Sequence, residues 1–222
     1  MTIAIISAAG QGSRLGSSIP KQFIEVNNEP IYISTIKKFL RDDISQILLM
    51  IQDEYSDMVI NQLKQYLPYA YNKNKIIIEI GGETAEETRF NALEYLKCRK
   101  FVGNVIFHDA VRPNVNYNLI SNVINNLQHF NNVVPTIICK DSMLDSNNNI
   151  IQTAGSKRLQ TPQGFEFDSI YNCYNNCEWK GSPALTFLTY YNSLYTIDGD
   201  ESNFKITTID DVELYKKLHN ND

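Results

Sequence analysis

Residues 2–16 read TIAIISAAGQGSRLG, an apolar run that ends in a glycine-rich turn. Ile3-Ala4-Ile5-Ile6 is a short apolar run rich in β-branched residues, as a strand buried on both faces should be. It gives way at once to Ser7-Ala8-Ala9-Gly10-Gln11-Gly12, small residues and glycine. Glycines in such a turn let backbone amides approach a phosphate without a Cβ clash.

Working outward, strands and helices alternate. Apolar residues at helical spacing predict a helix over 31–40, and ISQILLMI at 44–51 reads as a second buried strand. An amphipathic helix over 57–66 is closed by Pro68. KIIIEI at 75–80 is a third strand, followed by Gly81-Gly82 and a helix over 86–96. VIFH at 105–108 is a fourth strand, ending at Asp109 with Pro113 beyond it. A helix over 119–130 and a strand over 133–139 complete the series. This alternation predicts an α/β fold with a Rossmann-like, mostly parallel sheet and helices on both faces. Ligands on such sheets bind at the carboxyl ends of the strands, which selects residues 7–14, 81–83 and 108–113.

The pattern breaks after 140. Residues 141–161 are polar and Asn-rich and suit a short hairpin with Asn147-Asn148-Asn149 near its tip, a β-arm inserted into one domain spanning 1–222. Beyond it we expect a helix near 167–175, a strand around 190–197 and a final helix over 209–218, with Asp210 and Asp211 suiting the dipole of its first turn.

Composition narrows the function. Of 222 residues 43% are hydrophobic, enough for a core and too many for a disordered chain. Twenty basic against 25 acidic residues give a net charge of −5, which weighs against a general nucleic-acid binder. No apolar run approaches a membrane span, and the N-terminus lacks a signal-peptide pattern, so we expect a cytoplasmic protein. Cys173 and Cys177 lack a second pair and a nearby His. Free thiols in a reducing compartment are the expectation for all four cysteines.

The glycine-rich turn departs from the two best-known phosphate loops. A dinucleotide fingerprint would need glycine where Leu15 stands, and the Gly-Lys-Ser/Thr of a P-loop is absent. Arg14 and Pro20-Lys21 add positive charge beside the turn. Taken singly, such residues are most often solvated surface charges.

Jointly, AAGQGSRLGSSIPKQF at 8–23 resembles the signature of the cytidylyltransferases that act on methylerythritol phosphate and ribitol phosphate. Four further segments are similar to that family's motifs, in order. They are Gly81-Gly82-Glu83 with Thr88 and Asn91-Ala92-Leu93; His108-Asp109-Ala110-Val111-Arg112-Pro113; Gln160-Thr161-Pro162-Gln163; and Asn203-Phe204-Lys205-Ile206-Thr207 with Asp210-Asp211. The resemblance implies attack by the phosphate oxygen of an alcohol phosphate on the α-phosphorus of CTP, with release of pyrophosphate. Such transfers depend on positioning and on neutralising charge in the transition state.

By that resemblance Arg14 and Lys21 hold the β- and γ-phosphates, Lys205 neutralises the α-phosphate, and Asp109 binds Mg²⁺. The nucleotide-binding set maps onto Ala8, Ala9, Gly10, Gly12, Gly82, Glu83 and Thr88. The acceptor set maps onto Arg112, Ser142 and Thr161. The arm over 141–161 implies a homodimer. His108 reads as a hydrogen-bonded strand-end residue rather than an acid or base.

The departures from the family lie on the acceptor side. Leu144 stands where the family has Lys, Thr153 where it has an acceptor-contacting Arg, with Arg158 out of register. Gly181-Ser182-Pro183 replaces an acidic segment. Ala85 replaces an Arg, with Arg89 nearby. A retained donor half with an altered acceptor half points to a polyol phosphate such as ribitol 5-phosphate. Alternatives are an orthodox methylerythritol 4-phosphate enzyme and a nucleotide-binding paralogue without turnover. A nicotinamide-dependent dehydrogenase is disfavoured at Leu15.

Overall fold

The structure is a computed structural model, and it describes residues 1–10, 19–151 and 155–219. Expectations for Gly12, Arg14, Leu15 and Thr153 lie outside the described residues. Strand β1 (Thr2–Ser7) lies between β4 (Gln46–Ile51) and β6 (Asn104–Asp109), parallel to both. Strand β5 (Ile76–Ile80) extends the parallel set beyond β4. Before β4 come a small hairpin, β2 (Glu25–Val26) with β3 (Glu29–Pro30), and helix α1 (Ile31–Phe39). The hairpin turns through Asn27 and Asn28, both at positive φ, a conformation that Asn tolerates better than most side chains.

Helices α2 (Ser56–Tyr66) and α3 (Pro68–Asn72) lead from β4 to β5, so Pro68 starts a second short helix as well as closing the first. Helix α4 (Ala85–Cys98) follows β5, and α5 (Tyr117–Asn126) follows β6. Strand β7 (Asn132–Ile138) then runs at the far side of the sheet. Residues on β1 alternate between two cores. Ala4 and Ile6 meet α1, α2 and α5 through Tyr32, Ile36, Phe39, Leu63 and Ile120. Ile3 and Ile5 face the opposite core, which holds Leu93 of α4 and, further along the chain, Phe167 and Phe187. Burying each such isoleucine contributes about 2 kcal/mol, so the run at 3–6 can sit only at the centre of a covered sheet.

After β7 comes a hairpin of β8 (Met143–Leu144) and β9 (Ile150–Ile151). Its turn is closed by Asp145, which accepts hydrogen bonds from the amides of Asn147 and Asn149. Strands β10 (Lys157–Leu159) and β11 (Gln163–Glu166) then return antiparallel to β7, and β11 fills the gap between β6 and β7. Between Leu159↔Thr136 and Gly164↔Val133 the returning chain has two more residues than β7. Gln160-Thr161-Pro162 therefore bulges from the ladder, towards the end of β6.

Helices α6 (Phe167–Asn176) and α7 (Pro183–Tyr191), strand β12 (Thr196–Asp198) beside β7, and helix α8 (Ile209–His219) complete the chain. The expected strand around 190–197 is corrected to the end of a helix followed by a three-residue strand. Tyr190 and Tyr191 favour β structure locally, but Ser182 caps and Pro183 opens a helix that runs through them. No helix among the described residues is long and apolar enough to cross a membrane.

Candidate active site

The strand order β5-β4-β1-β6 reverses direction of growth between β1 and β6, and at such a switch point a crevice opens beyond the strand ends. Ser7 and Asp109 are register partners there, the last residues of their strands. The turn after β1 is fixed from below by Gln22. Its side chain is 2% exposed and donates to the carbonyls of Ala8 (2.7 Å) and Gly10 (2.9 Å). With those carbonyls held inward, the small face of Ala8-Ala9-Gly10 lines the crevice.

The turn after β5 closes onto the same place. A Cβ on Gly81 would stand 2.6 Å from that of Ala9, so only glycine lets the two turns meet. Thr84 caps α4 through the amide of Glu87 (3.1 Å), and the Glu87 carboxylate accepts from the amide of Glu83 (2.8 Å), a reciprocal cap. Thr88 is buried, accepts from the Gly82 amide (3.0 Å) and donates to the Thr84 carbonyl (2.9 Å).

Two cavities result. The first, about 230 Å³, is lined by Ala8, Ala9, Gly10, Lys21, Glu83 and Thr88, with Asp109 and Lys205 at its inner end. The second, about 160 Å³, is lined by Arg112, Thr161, Gln163 and Ser182-Pro183, and shares Ser7, Arg89, Asp109 and Lys205 with the first. Gly82 lines neither cavity, and its amide is committed to Thr88. Ser142, exposed on the hairpin side, lines neither cavity, and Arg158 pairs with Glu201 (3.1 Å) away from both.

Asp109 holds the junction. Its Oδ2 takes Arg112 Nε at 2.9 Å and its Oδ1 faces Lys205 Nζ at 3.3 Å. Burial raises the affinity of its carboxyl for a proton, but the Lys205 and Arg112 charges and the Arg112 hydrogen bond outweigh it and hold the group well below the usual range. Lys205 arrives because the Ile206 amide binds the Val111 carbonyl (2.9 Å). Asn203, fully buried, donates to the Thr161 carbonyl (2.7 Å) and accepts Arg112 Nη1 on its own carbonyl (2.8 Å). It thereby ties the bulge at 160–162 to the end of β6.

Burial pushes His108 down to about 3, so its ring is neutral. Nε2 faces the Arg112 carbonyl (3.2 Å) and must carry the hydrogen, which leaves Nδ1 to accept from the Thr161 hydroxyl (2.9 Å). His108 is a fixed support. Gln22 and Arg89 were not singled out as site residues by the sequence. Gln22 follows Lys21 with nothing to mark it as buried, and Arg89 lies mid-helix where a charged residue usually faces solvent.

Among the residues lining the two cavities, Lys21, Arg89, Arg112 and Lys205 outnumber Glu83 and Asp109. This local positive excess, in a chain of net charge −5, suits a polyphosphate. Fold and site together are those of a nucleotidyltransferase. The family model for 2-C-methyl-D-erythritol 4-phosphate cytidylyltransferase matches residues 2–218. The Clostridium beijerinckii protein of that name is 31% identical over 225 residues, covering 96% of each chain. The ribitol-5-phosphate cytidylyltransferase of Lacticaseibacillus paracasei is 28% identical over 231 residues, covering 97% of each. The crystal structure of the 4-diphosphocytidyl-2C-methyl-D-erythritol synthase of Anaerococcus prevotii superposes with a TM-score of 0.82 at 25% identity, covering 99% of this chain and 98% of that one. The chain belongs to the 2-C-methyl-D-erythritol 4-phosphate cytidylyltransferase family.

Proposed function

We propose that this cytidylyltransferase moves CMP from CTP to a phosphorylated polyol of the ribitol 5-phosphate kind. The observation that carries the reading is the pair of cavities that share Asp109 and Lys205. CTP occupies the first, its base against Ala8-Ala9-Gly10, Glu83 and Thr88, its β- and γ-phosphates at Lys21 and, by family resemblance, Arg14. The acceptor occupies the second, against Arg112 and Thr161. A phosphate oxygen of the acceptor forms a bond to the α-phosphorus. The bond from that phosphorus to the bridging oxygen breaks, and pyrophosphate leaves with the electron pair. Lys205 neutralises charge at the α-phosphate, held in place by Asp109. No general base is needed, because a phosphate nucleophile is already ionised at neutral pH.

A single hard carboxylate kept ionised, beside room for phosphates, fits Mg²⁺, which binds through one or two carboxylates together with substrate oxygens. Asp109 is the residue that would hold it. When bound, the ion supplies further charge neutralisation across the triphosphate. Among the described residues no three His, Cys, Asp or Glu side chains gather into an all-protein metal cage.

Leu144 and Thr153 on the arm favour the polyol phosphate, since they withdraw a Lys and an Arg from the acceptor side. A second reading, methylerythritol 4-phosphate as acceptor, is favoured by the matching family model and the clostridial relative. We also propose a homodimer paired through the arm, supported by exposed apolar residues at Ile138, Leu144 and Ile150. Its free cysteines suit the reducing cytoplasm. Pyrophosphate release with CTP and Mg²⁺, measured against ribitol 5-phosphate, methylerythritol 4-phosphate and glycerol 3-phosphate, tests the reading. Preference for ribitol 5-phosphate supports it, and preference for methylerythritol 4-phosphate selects the second.

A further inference from the structure

We infer that Arg89 seats the acceptor's phosphate where it meets the α-phosphate of CTP, and is the residue that sets acceptor affinity. The inference rests on the donor and acceptor reading of the two cavities given above. Arg89 lies on α4, and its side chain lines both cavities, as do Ser7, Asp109 and Lys205. Each of the other cations on the acceptor side is already engaged by Asp109: Lys205 at 3.3 Å and Arg112 at 2.9 Å, the latter also donating to the Asn203 carbonyl. Arg89 differs. Its Nη1 donates to the Gly181 carbonyl at 3.1 Å, the Tyr174 hydroxyl lies beside it, and among the described residues no carboxylate stands within ion-pairing distance of it.

The wall that holds Arg89 is built. Gly181 has φ +43°, in the left-handed region, and so turns the chain into the Ser182 cap of α7. The Lys180 amide donates to Thr186 Oγ1 (2.9 Å), and Trp179 packs on Phe90, the neighbour of Arg89, with ring centroids 5.0 Å apart. One edge of the guanidinium is thereby fixed on a rigid corner between α4 and α7. A guanidinium held at one edge and uncompensated by a carboxylate matches the two acceptor oxygens of a phosphate monoester. Its place at the junction puts that phosphate beside the α-phosphorus it must attack. At 144 and 153 the arm carries Leu and Thr where the family has cations, and Arg158 is held by Glu201, so the charge at the junction falls to Arg89.

The test measures KM for acceptor and for CTP in wild type, Arg89→Met and Arg89→Lys, using whichever of ribitol 5-phosphate and methylerythritol 4-phosphate the wild type turns over. Arg89→Met should raise the acceptor KM roughly 10- to 100-fold, as expected for losing charge-assisted hydrogen bonds, and the CTP KM at least about fivefold less than that. Arg89→Lys, which keeps charge and loses the fork, should fall between. An unchanged acceptor KM, or a parallel rise in both constants with a lowered melting temperature, overturns the inference and makes Arg89 a structural tie to Gly181. If the wild type turns over neither acceptor, the functional reading fails separately. Calorimetric titration of inorganic phosphate into CTP-loaded protein then decides on Arg89 alone: loss of binding in Arg89→Met supports the seat, and equal binding excludes it.

Discussion

Lys205 Nζ lies 3.3 Å from Asp109 Oδ1, joining the last loop of the chain to the end of a central strand. The pair is partly open, with Lys205 about half exposed and Asp109 mostly buried, so the lysine can serve a ligand while the carboxylate holds it. Lys205→Met should lower kcat for pyrophosphate release by about 10²- to 10³-fold, the range seen when one transition-state charge partner is removed. CTP affinity should change far less, which equilibrium titration would show.

Asp109→Asn removes the anchor for both Lys205 and Arg112. We expect a loss of stability on the order of 2 kcal/mol in urea unfolding, since Arg112 is left without its partner. The folded carboxyl is held below its unfolded value, so its contribution is full above about pH 4 and is lost as pH falls through the depressed folded value. Between pH 4 and 2 the wild type should therefore lose more stability than the Asn variant.

His108 makes an opposite kind of statement about catalysis. Its ring is neutral and pushed down to about 3, while the unfolded chain titrates near 6.5. The unfolded state binds the extra proton in that window, so the stability this group contributes is present above about pH 6.5 and declines as pH falls towards 3. His108→Gln should flatten the slope of unfolding free energy against pH between 4 and 6. The wild-type rate profile from pH 6 to 8 should show no inflection belonging to His108.

Gln22→Leu strips both donors from the Ala8 and Gly10 carbonyls. The buried Ala8 carbonyl loses its partner and the more open Gly10 carbonyl falls back on water, which costs about 1 kcal/mol in unfolding free energy. Because those carbonyls set the shape of the turn, the Kd for CTP should rise about tenfold in calorimetry. An unchanged Kd with reduced stability would separate turn geometry from nucleotide binding.

Gly164→Ala places a Cβ 2.7 Å from both Leu127 Cδ1 and Val123 Cγ1, so the side chains packed between β11 and α5 must give way. Overpacking of this kind costs about 1–3 kcal/mol. The urea midpoint should fall while the slope of the transition stays the same.

That glycine also explains what the sequence concealed. β11 is a four-residue strand, Gln163-Gly164-Phe165-Glu166, buried at the centre of the sheet. It shows neither an apolar run nor alternation, because Gly164 makes room for α5 and Gln163 reaches the Ala184 amide (3.0 Å). The strands beginning at Thr2, Gln46, Ile76 and Asn104 were legible because their residues face two apolar layers. Helix α7 was hidden by the β-favouring Tyr190-Tyr191 at its end. Of the residues that line the two cavities, Lys21, Asp109, Thr161 and Lys205 stand in motifs that the sequence shows in order. Gln22, Arg89 and the tie made by Asn203 depend on which face each side chain takes in the folded chain, and no spacing reports that.

Donor and acceptor are proposed to meet at Asp109 and Lys205, which line both cavities. Phosphorus NMR of CTP, Mg²⁺ and ribitol 5-phosphate with the wild-type protein tests it most directly. A new cytidine diphosphate-linked product and pyrophosphate should form in equal amounts, dependent on the acceptor and at a rate about 10²- to 10³-fold lower in Lys205→Met. CTP breakdown without the acceptor, or product formation undiminished in Lys205→Met, would contradict it.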